Sequence, residues 1–278
     1  MRNYHDLLVL CPEFVRFGPH LAMAAAMAKR QDIRLTGLHV RWPVLAVGAA
    51  GLPDLAESLR RDAEKALLAA IQAGEGFAAF VAGHGRVQAT WRVLEGNPEI
   101  VLNYLAACHD LLVLPAGQGD QALAPGFISE VVLQCQRPCL VVPDACADPD
   151  RPPASIAIAW NGSIEALRAV AGALPLLGRA ERVVMLTGQS RRYSALAPDR
   201  PVLDLVAWLA ERGILAESQP LQARAGEEGE ALLLATQSAG CDLLVMGAWG
   251  HTRLREWILG GATRHVLSHA RLPVLMAH

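Results

Sequence analysis

Short apolar segments alternate along the chain with longer segments in which apolar residues recur every three or four positions. The short segments predict β-strands and the longer ones predict amphipathic helices. Several of the strands, including those at 155–160 and 242–246, are apolar on both faces, as parallel strands are when helices cover the sheet from both sides. The alternation therefore predicts a doubly wound α/β fold with an open parallel sheet and right-handed crossovers.

The predicted elements form two sets of the same kind. The first set has strands near 5–11, 33–41, 86–94, 110–115 and 138–142, with helices near 18–30, 54–73, 97–107 and 126–136. The second has strands near 155–160, 181–187, 215–222, 242–247 and 273–277, with helices near 163–177, 201–212, 227–239 and 262–270. Each set predicts one five-stranded sheet flanked by helices.

Sequence similarity between the two sets indicates a duplication. The segment 106–114 recurs at 238–246, and both copies continue through a polar, glycine-containing loop to a helix and a closing strand. Repetition on this scale is typical of a doubled domain. A stretch rich in proline and aspartate, 143–153, separates the copies and is typical of an exposed linker. We therefore predict two domains, 1–147 and 154–278.

Composition narrows the class of protein. Of the 278 residues, 53% are hydrophobic and 19% are charged, which suits a packed core. The net charge of −2 argues against a nucleic-acid partner or an anionic membrane surface. We expect no membrane span, because no uncharged apolar run approaches about 18 residues. The six cysteines form no CxxC pair, which favours free thiols in a reducing compartment and a cytoplasmic protein.

Candidate chemistry concentrates in the loop that follows strand 242–246. Gly247 and Gly250 let the backbone leave the strand sharply and approach a ligand. Gly260 and Gly261 stand where the next helix begins, and the free N–H groups of a helix N-terminus attract anions. Four arginines and one acidic residue between 250 and 271 add positive charge. The loop therefore predicts a phosphate site.

The glycine spacing, Gly-x2-Gly-x9-Gly, matches neither a Walker A loop nor the GxGxxG fingerprint. It resembles the universal stress protein family, as do the turn Asn161-Gly162-Ser163 and the Pro273 strand that closes the second half. The resemblance covers both halves and implies two Rossmann-like, adenine-nucleotide α-hydrolase-like domains. It further implies an intrachain pseudo-dimer, made by antiparallel pairing of Cys139–Val142 with Val274–Met276, and allows a homodimer through exposed sheet edges.

The same resemblance implies ATP or another adenine nucleotide as the ligand. It assigns these cofactor-binding residues: Ala159, Asn161, Gly247, Gly250, Gly260, Gly261 and Thr263. The glycines would contact phosphates, and Asn161 would lie beside adenine or ribose. Two residues depart from the family pattern, since Asn161 replaces an aspartate and Gly261 replaces Ser or Thr. We expect weakened binding, with Thr263 as a substitute hydroxyl donor.

The first half lacks these features. Its corresponding loop, 114–126, has neither the spaced glycines nor an arginine. Glu13, in the turn after the first strand, would repel a phosphate. We therefore expect one nucleotide site in each chain, in the second half.

Three functions fit these residues. We favour a universal stress protein that binds an adenine nucleotide in the stress response without catalysis, or with very weak ATP hydrolysis, because no lysine or aspartate is placed for phosphoryl transfer. A structural or interaction protein without a functional nucleotide site is the alternative. An enzyme of the wider adenine-nucleotide α-hydrolase group is disfavoured by the missing Ser-Gly-Gly loop.

Other reactive residues have simpler interpretations. His265 and His269 lie at i and i+4 without a third ligand, so we interpret them as surface histidines rather than a metal pair. Cys135 and Cys139 are interpreted as packing residues. Ser163 begins a helix and is predicted to be its N-cap. We expect no catalytic residue and no metal site.

Overall fold

A computed structural model describes residues 3–43, 53–117, 123–188, 203–249 and 261–278. The first half contains β1 (Asp6–Leu10), α1 (Pro19–Gln31), β2 (Arg34–Arg41), α2 (Pro53–His84), β3 (Ala89–Glu95), α3 (Pro98–Ala106), β4 (Leu111–Ala116), α4 (Pro125–Gln134) and β5 (Cys139–Pro143). The second contains β6 (Ser155–Trp160), α5 (Ile164–Leu177), β7 (Arg182–Gly188), α6 (Leu205–Ala210), β8 (Ala216–Leu221), α7 (Glu228–Ser238), β9 (Leu243–Gly247), α8 (Gly261–His269) and β10 (Val274–Ala277).

The described strands form one ten-stranded sheet in the order β3-β2-β1-β4-β5-β10-β9-β6-β7-β8. Within each half the neighbouring strands are parallel, and the first strand of the half lies between the second and the fourth. The halves meet where β5 and β10 pair antiparallel, with Leu140 opposite Leu275 and Cys139 opposite Met276. The predicted α/β class and the pairing of the closing strands are therefore confirmed.

Both faces of this central pair of strands are buried. Leu140 and Leu275 belong to the apolar cluster on one face of the sheet, together with side chains of α1 and α5. Cys139, Val141 and Met276 belong to the cluster on the other face. Each cluster contains residues of both halves, so the hydrophobic core continues across the junction between them.

The helices on one face also connect the halves directly. The Tyr4 hydroxyl donates a hydrogen bond of 2.6 Å to the carbonyl of Gly172 in α5, and burial raises the pKa of Tyr4. Gly172 has no room for a side chain, because a Cβ there would lie 2.8 Å from Cβ of Pro138. The absence of a Cβ therefore lets α5 of one half pack closely on the start of β5 in the other.

The repeated aspartate of the duplicated segment has the same structural task in each half. Asp110 precedes β4, and its carboxylate accepts hydrogen bonds from the backbone N–H groups of His5 and Asp6 at 2.6 and 3.2 Å. Asp242 precedes β9 and accepts from the N–H groups of Ala154 and Ser155 at 2.9 Å each. Each aspartate thus links the starts of the two central strands of its half.

The described helix α2 is longer than predicted, because it continues from residue 73 to His84. Trp91 of β3 explains the extension. Its Nε1–H donates a 2.8 Å hydrogen bond to the carbonyl of Ala70, and the ring packs where Gly74 has no side chain. Phe77 then enters the core. The prediction that α2 ends at residue 73 is wrong, because tertiary packing outweighs the modest helix penalty of the glycines.

Replacing Asp242 tests the proposed role of the repeated aspartate. Asp242→Ala should lower the free energy of unfolding by about 1–2 kcal/mol, because it removes charged acceptors from two strand-initiating N–H groups at a solvent-accessible position. Urea unfolding followed by circular dichroism measures the change. Asp148→Ala, in the exposed linker, is the control and should change stability by less than about 0.5 kcal/mol. Equal effects of the two substitutions would contradict the assignment.

Candidate functional site

The candidate site lies at the carboxyl ends of β6 and β9, which are adjacent parallel strands with Ala159 opposite Met246. Asn161 directly follows β6, and Gly247 is the last residue of β9. The structure therefore brings Ala159, Asn161 and Gly247 to one edge of the sheet, where open α/β sheets bind ligands. Of the other predicted site residues, Gly250 and Gly260 lie outside the described residues.

The turn after β6 is held by its own side chains. The Asn161 Oδ1 accepts a 3.0 Å hydrogen bond from the Ser163 N–H, and Gly162 between them has a φ of +75°, which favours glycine. The Ser163 Oγ accepts from the Ala166 N–H at 3.1 Å, so the predicted N-cap of α5 is confirmed. Because Oδ1 is engaged within the turn, the Asn161 side chain has its amide N–H groups to offer a ligand.

Gly247 is needed for packing inside the protein. A Cβ at this position would overlap the backbone nitrogen of Ala166 and would lie 2.7 Å from the carbonyl carbon of Glu165. The first turn of α5 thus lies directly against the end of β9. From the sequence, Gly247 was expected to be small so that a ligand could approach. In the structure its small size lets α5 pack against the end of β9.

Helix α8 connects the parallel neighbours β9 and β10, so its N-terminus lies towards the same carboxyl edge of the sheet. Gly261 is exposed, with open space where a side chain would be, and Thr263 is only 4% exposed. Helix α8 packs closely on α7, because a Cβ at Gly229 would lie 2.7 Å from Cβ of His265. The Gly261 backbone is therefore accessible to a ligand, but the Thr263 hydroxyl is enclosed.

Two further residues at this edge have unpaired buried polar atoms. Trp249, two residues after β9, has a φ of +52°, and its buried Nε1 has no hydrogen-bond partner among the described residues. Glu165, in the first turn of α5, is 7% exposed, and its buried Oε2 also has none. The helix dipole favours a carboxylate at that position. The sequence analysis did not identify Glu165, although its i, i+4 spacing to Ala169 places it on a buried stripe of α5.

The same edge of the first half is occupied by side chains. The His39 Nδ1 donates a 2.9 Å hydrogen bond to the carbonyl of Cys11, and the Phe14 ring packs edge-on against His39. After β4, a side chain at Gly117 would overlap the Asp144 carboxylate. Burial raises the pKa of Asp144. An acidic side chain thus lies against the loop after β4, and an aromatic pair lies beside the loop after β1.

His20 in the first half corresponds to Glu165 in the second, because each is the second residue of the first helix of its half. His20 is 5% exposed, and neither ring nitrogen has a partner in hydrogen-bonding geometry within the described structure. Burial lowers the pKa of His20 to about 4, against a smaller opposing effect of the Leu10 backbone. The imidazole is therefore neutral in the folded protein at pH 7.

The predicted surface histidines and packing cysteines have defined contacts. The rings of His265 and His269 stack with centroids 4.2 Å apart, and the His269 Nδ1 donates to the carbonyl of His265. Cys135 and Cys139 are buried free thiols, and the hydrogen bond between them together with burial raises the pKa of Cys139. Within the described residues, no group of three or more His, Cys, Asp or Glu side chains could hold a metal ion.

A groove of about 520 Å³ lies at the opposite, amino-terminal edge of the first half. Arg34 and Arg92 are among its lining residues, but Arg34 is paired with Asp6 at 2.6 Å. Because parallel α/β sheets bind ligands at the carboxyl ends of their strands, we place the candidate site at the ends of β6 and β9 rather than in this groove.

Solved structures share this architecture along the whole chain. A universal stress protein from Archaeoglobus fulgidus is 14% identical, with 98% of this chain and 97% of that chain covered and a TM-score of 0.66. A functionally unknown protein from Pseudomonas aeruginosa is 17% identical, with 99% and 92% covered and a TM-score of 0.58. Another universal stress protein, solved in complex with cAMP, matches only half of the chain: it is 15% identical, with 51% of this chain and 99% of that chain covered and a TM-score of 0.36. No curated protein matches the sequence.

The fold thus defines an adenine-nucleotide α-hydrolase-like α/β protein with two similar halves in one mixed sheet. The model of the universal stress protein family matches residues 154–278. The second half therefore matches that family, and the chain as a whole has the fold of the universal stress protein from Archaeoglobus fulgidus.

His20 should make stability depend on pH. Its pKa is about 4 in the folded state and about 6.5 in the unfolded state, so between these values the unfolded chain binds more protons and stability falls with falling pH. The stabilisation is complete only well above pH 6.5, and about 2 kcal/mol of it should be lost between pH 7 and pH 5. Urea unfolding of the wild type and of His20→Leu at both pH values measures this loss. Equal pH dependence in the two proteins would contradict the assignment.

Gly247→Ala tests the contact between β9 and α5. The added methyl group overlaps backbone that cannot rotate away, so the variant should lose about 1–3 kcal/mol of stability even without ligand. Gly188→Ala, at the end of β7 in open space, should change stability by less than about 0.5 kcal/mol. Thermal unfolding of the two variants compares them, and a Gly247→Ala protein as stable as the control would rule out this packing role.

Proposed function

We propose that this protein binds ATP or another adenine nucleotide at one site in its second half. We propose further that it acts in the cytoplasmic stress response. The observation that carries the proposal is that the β6 and β9 ends, with Asn161 and Gly247, lie side by side at the carboxyl edge of the sheet, in a segment that matches the universal stress protein family. Ala159, Asn161, Gly247, Gly250, Gly260, Gly261 and Thr263 form the proposed site.

The chemistry of these residues suits a phosphate. Backbone N–H groups at the start of α8 and the positive end of its dipole attract an anion, and the exposed Gly261 leaves them accessible. Arg264, exposed in the first turn of α8, adds a positive charge nearby. The missing hydroxyl at Gly261 removes a neutral contact that contributes about 1 kcal/mol, so binding is weakened but retained. The enclosed Thr263 hydroxyl would need a movement of α8 to replace it.

The proposed role is non-catalytic or very weakly hydrolytic. The described residues directly after β6 are Asn161, Gly162 and Ser163, and those after β9 are Ala248 and Trp249, so no lysine or aspartate stands there to assist phosphoryl transfer. Glu165 is the acidic group in the adjoining turn, and it is buried. Binding rather than turnover is therefore the function that these groups support.

The first half is proposed to hold no nucleotide. Asp144 and Glu13 would place negative charge beside a phosphate, and the Phe14–His39 pair fills space at the same edge. The expected stoichiometry is therefore one nucleotide in each chain.

A charge placed at the start of α8 tests the site. Gly261→Asp should weaken ATP binding about tenfold or more, since a carboxylate would face the phosphates. Gly126→Asp in the first turn of α4, an open glycine at the corresponding helix of the first half, is the matched control and should bind as the wild type does. Isothermal titration calorimetry with ATP, ADP and AMP measures the affinities and the stoichiometry.

Two outcomes would contradict this proposal. If the wild-type protein binds none of the three nucleotides at millimolar concentration and releases none on denaturation, the interaction-protein alternative replaces it. If Gly261→Asp binds ATP as tightly as the wild type, the nucleotide lies elsewhere.

A further inference from the structure

The groove at the amino-terminal edge of the first half, called the amino-edge groove below, has a polar floor made by two strands. Thr36 of β2 lies opposite Thr90 of β3, and Leu38 lies opposite Arg92. Because alternate residues of a strand project to the same face, Thr36, Thr90 and Arg92 share the face on which Leu38 enters the core. His109, which follows α3, also lines the groove. A face of the sheet that is buried farther along is thus polar and open at this edge.

In the second half, a side chain bridges the equivalent positions. By strand register, Arg182 is the counterpart of Arg34. Glu217 likewise corresponds to Thr90. The Arg182 Nη1 donates to the carbonyl of Ala239 at 2.7 Å, and its Nη2 donates to the Glu217 carboxylate at 3.0 Å. Arg182 therefore joins the end of α7 to β8.

Two differences between the halves leave this bridge out of the first half. Thr90 offers no carboxylate, and Asp6 stands where the second half has Ser155. The Arg34 Nε and Nη2 lie 2.6 and 2.7 Å from the two carboxylate oxygens of Asp6, so Arg34 is bound to β1 rather than to β3. A volume of about 520 Å³ stays open, which is within the range of small-ligand sites, about 300–1,000 Å³.

The open groove contains hydrogen-bond donors that the protein does not use. Arg92 is exposed, and its guanidinium makes no ion pair or hydrogen bond among the described residues. The Thr90 hydroxyl and the Arg34 Nη1 also have no partner there. The ring of His109 is fixed, because its Nδ1 donates to a backbone carbonyl at 2.8 Å and its Nε2 lies 3.3 Å from the Thr36 Oγ1. The donors therefore lie between a rigid wall and a rigid floor.

The charge of the groove favours an anion. Asp6 neutralises Arg34 through the two-point contact, so Arg92 leaves an unbalanced positive charge among the lining residues. Asp110 lies close to Arg34, but its carboxylate already accepts from two backbone N–H groups. A guanidinium presents its N–H groups in a planar fork that matches the oxygens of a phosphate. The Thr90 hydroxyl, two residues away on the same face, adds a neutral donor.

We propose that the amino-edge groove binds a small polyhydroxylated phosphomonoester, such as a sugar phosphate, with the phosphate on Arg92 and Thr90. The remaining polar lining includes the Gln88 amide and the Asp6 carboxylate, which can donate to and accept from hydroxyl groups. The Arg34 Nη1 adds a further donor. The ligand hydroxyls would thus meet side chains that hold both kinds of hydrogen-bonding group.

A nucleotide fits the amino-edge groove less well. Bases are usually held by aromatic stacking or by an apolar slot. Among the described residues that line the groove, none is Phe, Tyr or Trp, and the aliphatic ones are Leu35 and Ala89. The groove also lies at the amino-terminal edge of the first half, whereas the proposed nucleotide site lies at the carboxyl edge of the second. The two sites are therefore independent proposals.

Cys108 reports directly on occupancy, because it lines the groove and is the exposed one of the six cysteines. The rate at which iodoacetamide alkylates Cys108 in the full chain is followed by mass spectrometry of its peptide. Glucose 6-phosphate and ribose 5-phosphate at millimolar concentration should each slow alkylation several-fold and saturably. Glucose, which lacks the phosphate, should not. Isothermal titration calorimetry with the same compounds measures binding without relying on protection of Cys108.

Substitutions locate the phosphate. Arg92→Ala should weaken glucose 6-phosphate binding about tenfold or more, because it removes the unpaired guanidinium. Arg224→Ala, an exposed arginine of the second half outside the groove, is the matched control and should bind as the wild type does. Thr90→Glu should abolish binding, because it supplies the carboxylate that Glu217 supplies in the second half. Circular dichroism verifies that the variants are folded.

Three results would overturn the proposal. The first is a wild type in which neither sugar phosphate protects Cys108 or gives heat of binding at millimolar concentration. The second is Arg92→Ala binding glucose 6-phosphate as tightly as the wild type. The third is inorganic phosphate binding as tightly as the sugar phosphates, which would exclude a polyhydroxylated ligand. ATP titrations of Arg92→Ala should match the wild type, so failure of the nucleotide proposal would leave these results unaffected.

Discussion

The antiparallel pairing of β5 with β10 is the contact on which the rest of the structure depends. An open five-stranded sheet leaves unpaired N–H and C=O groups along its edge, and such an edge invites association. Here each half satisfies the closing edge of the other, and the core continues across the junction through Leu140 and Leu275 on one face and through Cys139 and Met276 on the other. Because the two strands run in opposite directions, the carboxyl edges of the halves lie at opposite ends of the sheet. A substitution at the carboxyl edge of one half is therefore distant from the carboxyl edge of the other half.

That independence is visible in how differently the two halves use equivalent positions. The second residue of the first helix is a buried carboxylic acid in one half, Glu165, and a buried imidazole in the other, His20. The loop after the fourth strand is bounded by α5 in the second half and by the Asp144 carboxylate in the first.

The sequence was sufficient to predict the sheet class and the strand positions, because these follow from local apolar patterns and from the repeat. The pairing of the two halves was predicted from the resemblance to the universal stress protein family. The sequence was insufficient where a residue acts through a distant neighbour. From the sequence, Gly74 indicates the end of a helix. In the structure the helix continues, because Trp91, 17 positions later, packs against Gly74. From the sequence, Gly247 indicates a ligand-binding loop. In the structure α5 packs directly against it. Asp110 and Asp242 were visible as a repeat, but their backbone partners lie about 90–105 positions away.

The order of synthesis gives the central pairing a further consequence. Val141 of β5 pairs with Val274 of β10, so the edge of the first half is translated long before the strand that covers it. At about 5–20 residues per second, the intervening chain takes on the order of ten seconds to appear. During that interval a nascent first half presents Leu140 and its neighbours on an open edge. Translation speed and chaperone access over the second half of the message therefore bear directly on how much of this protein reaches its native state.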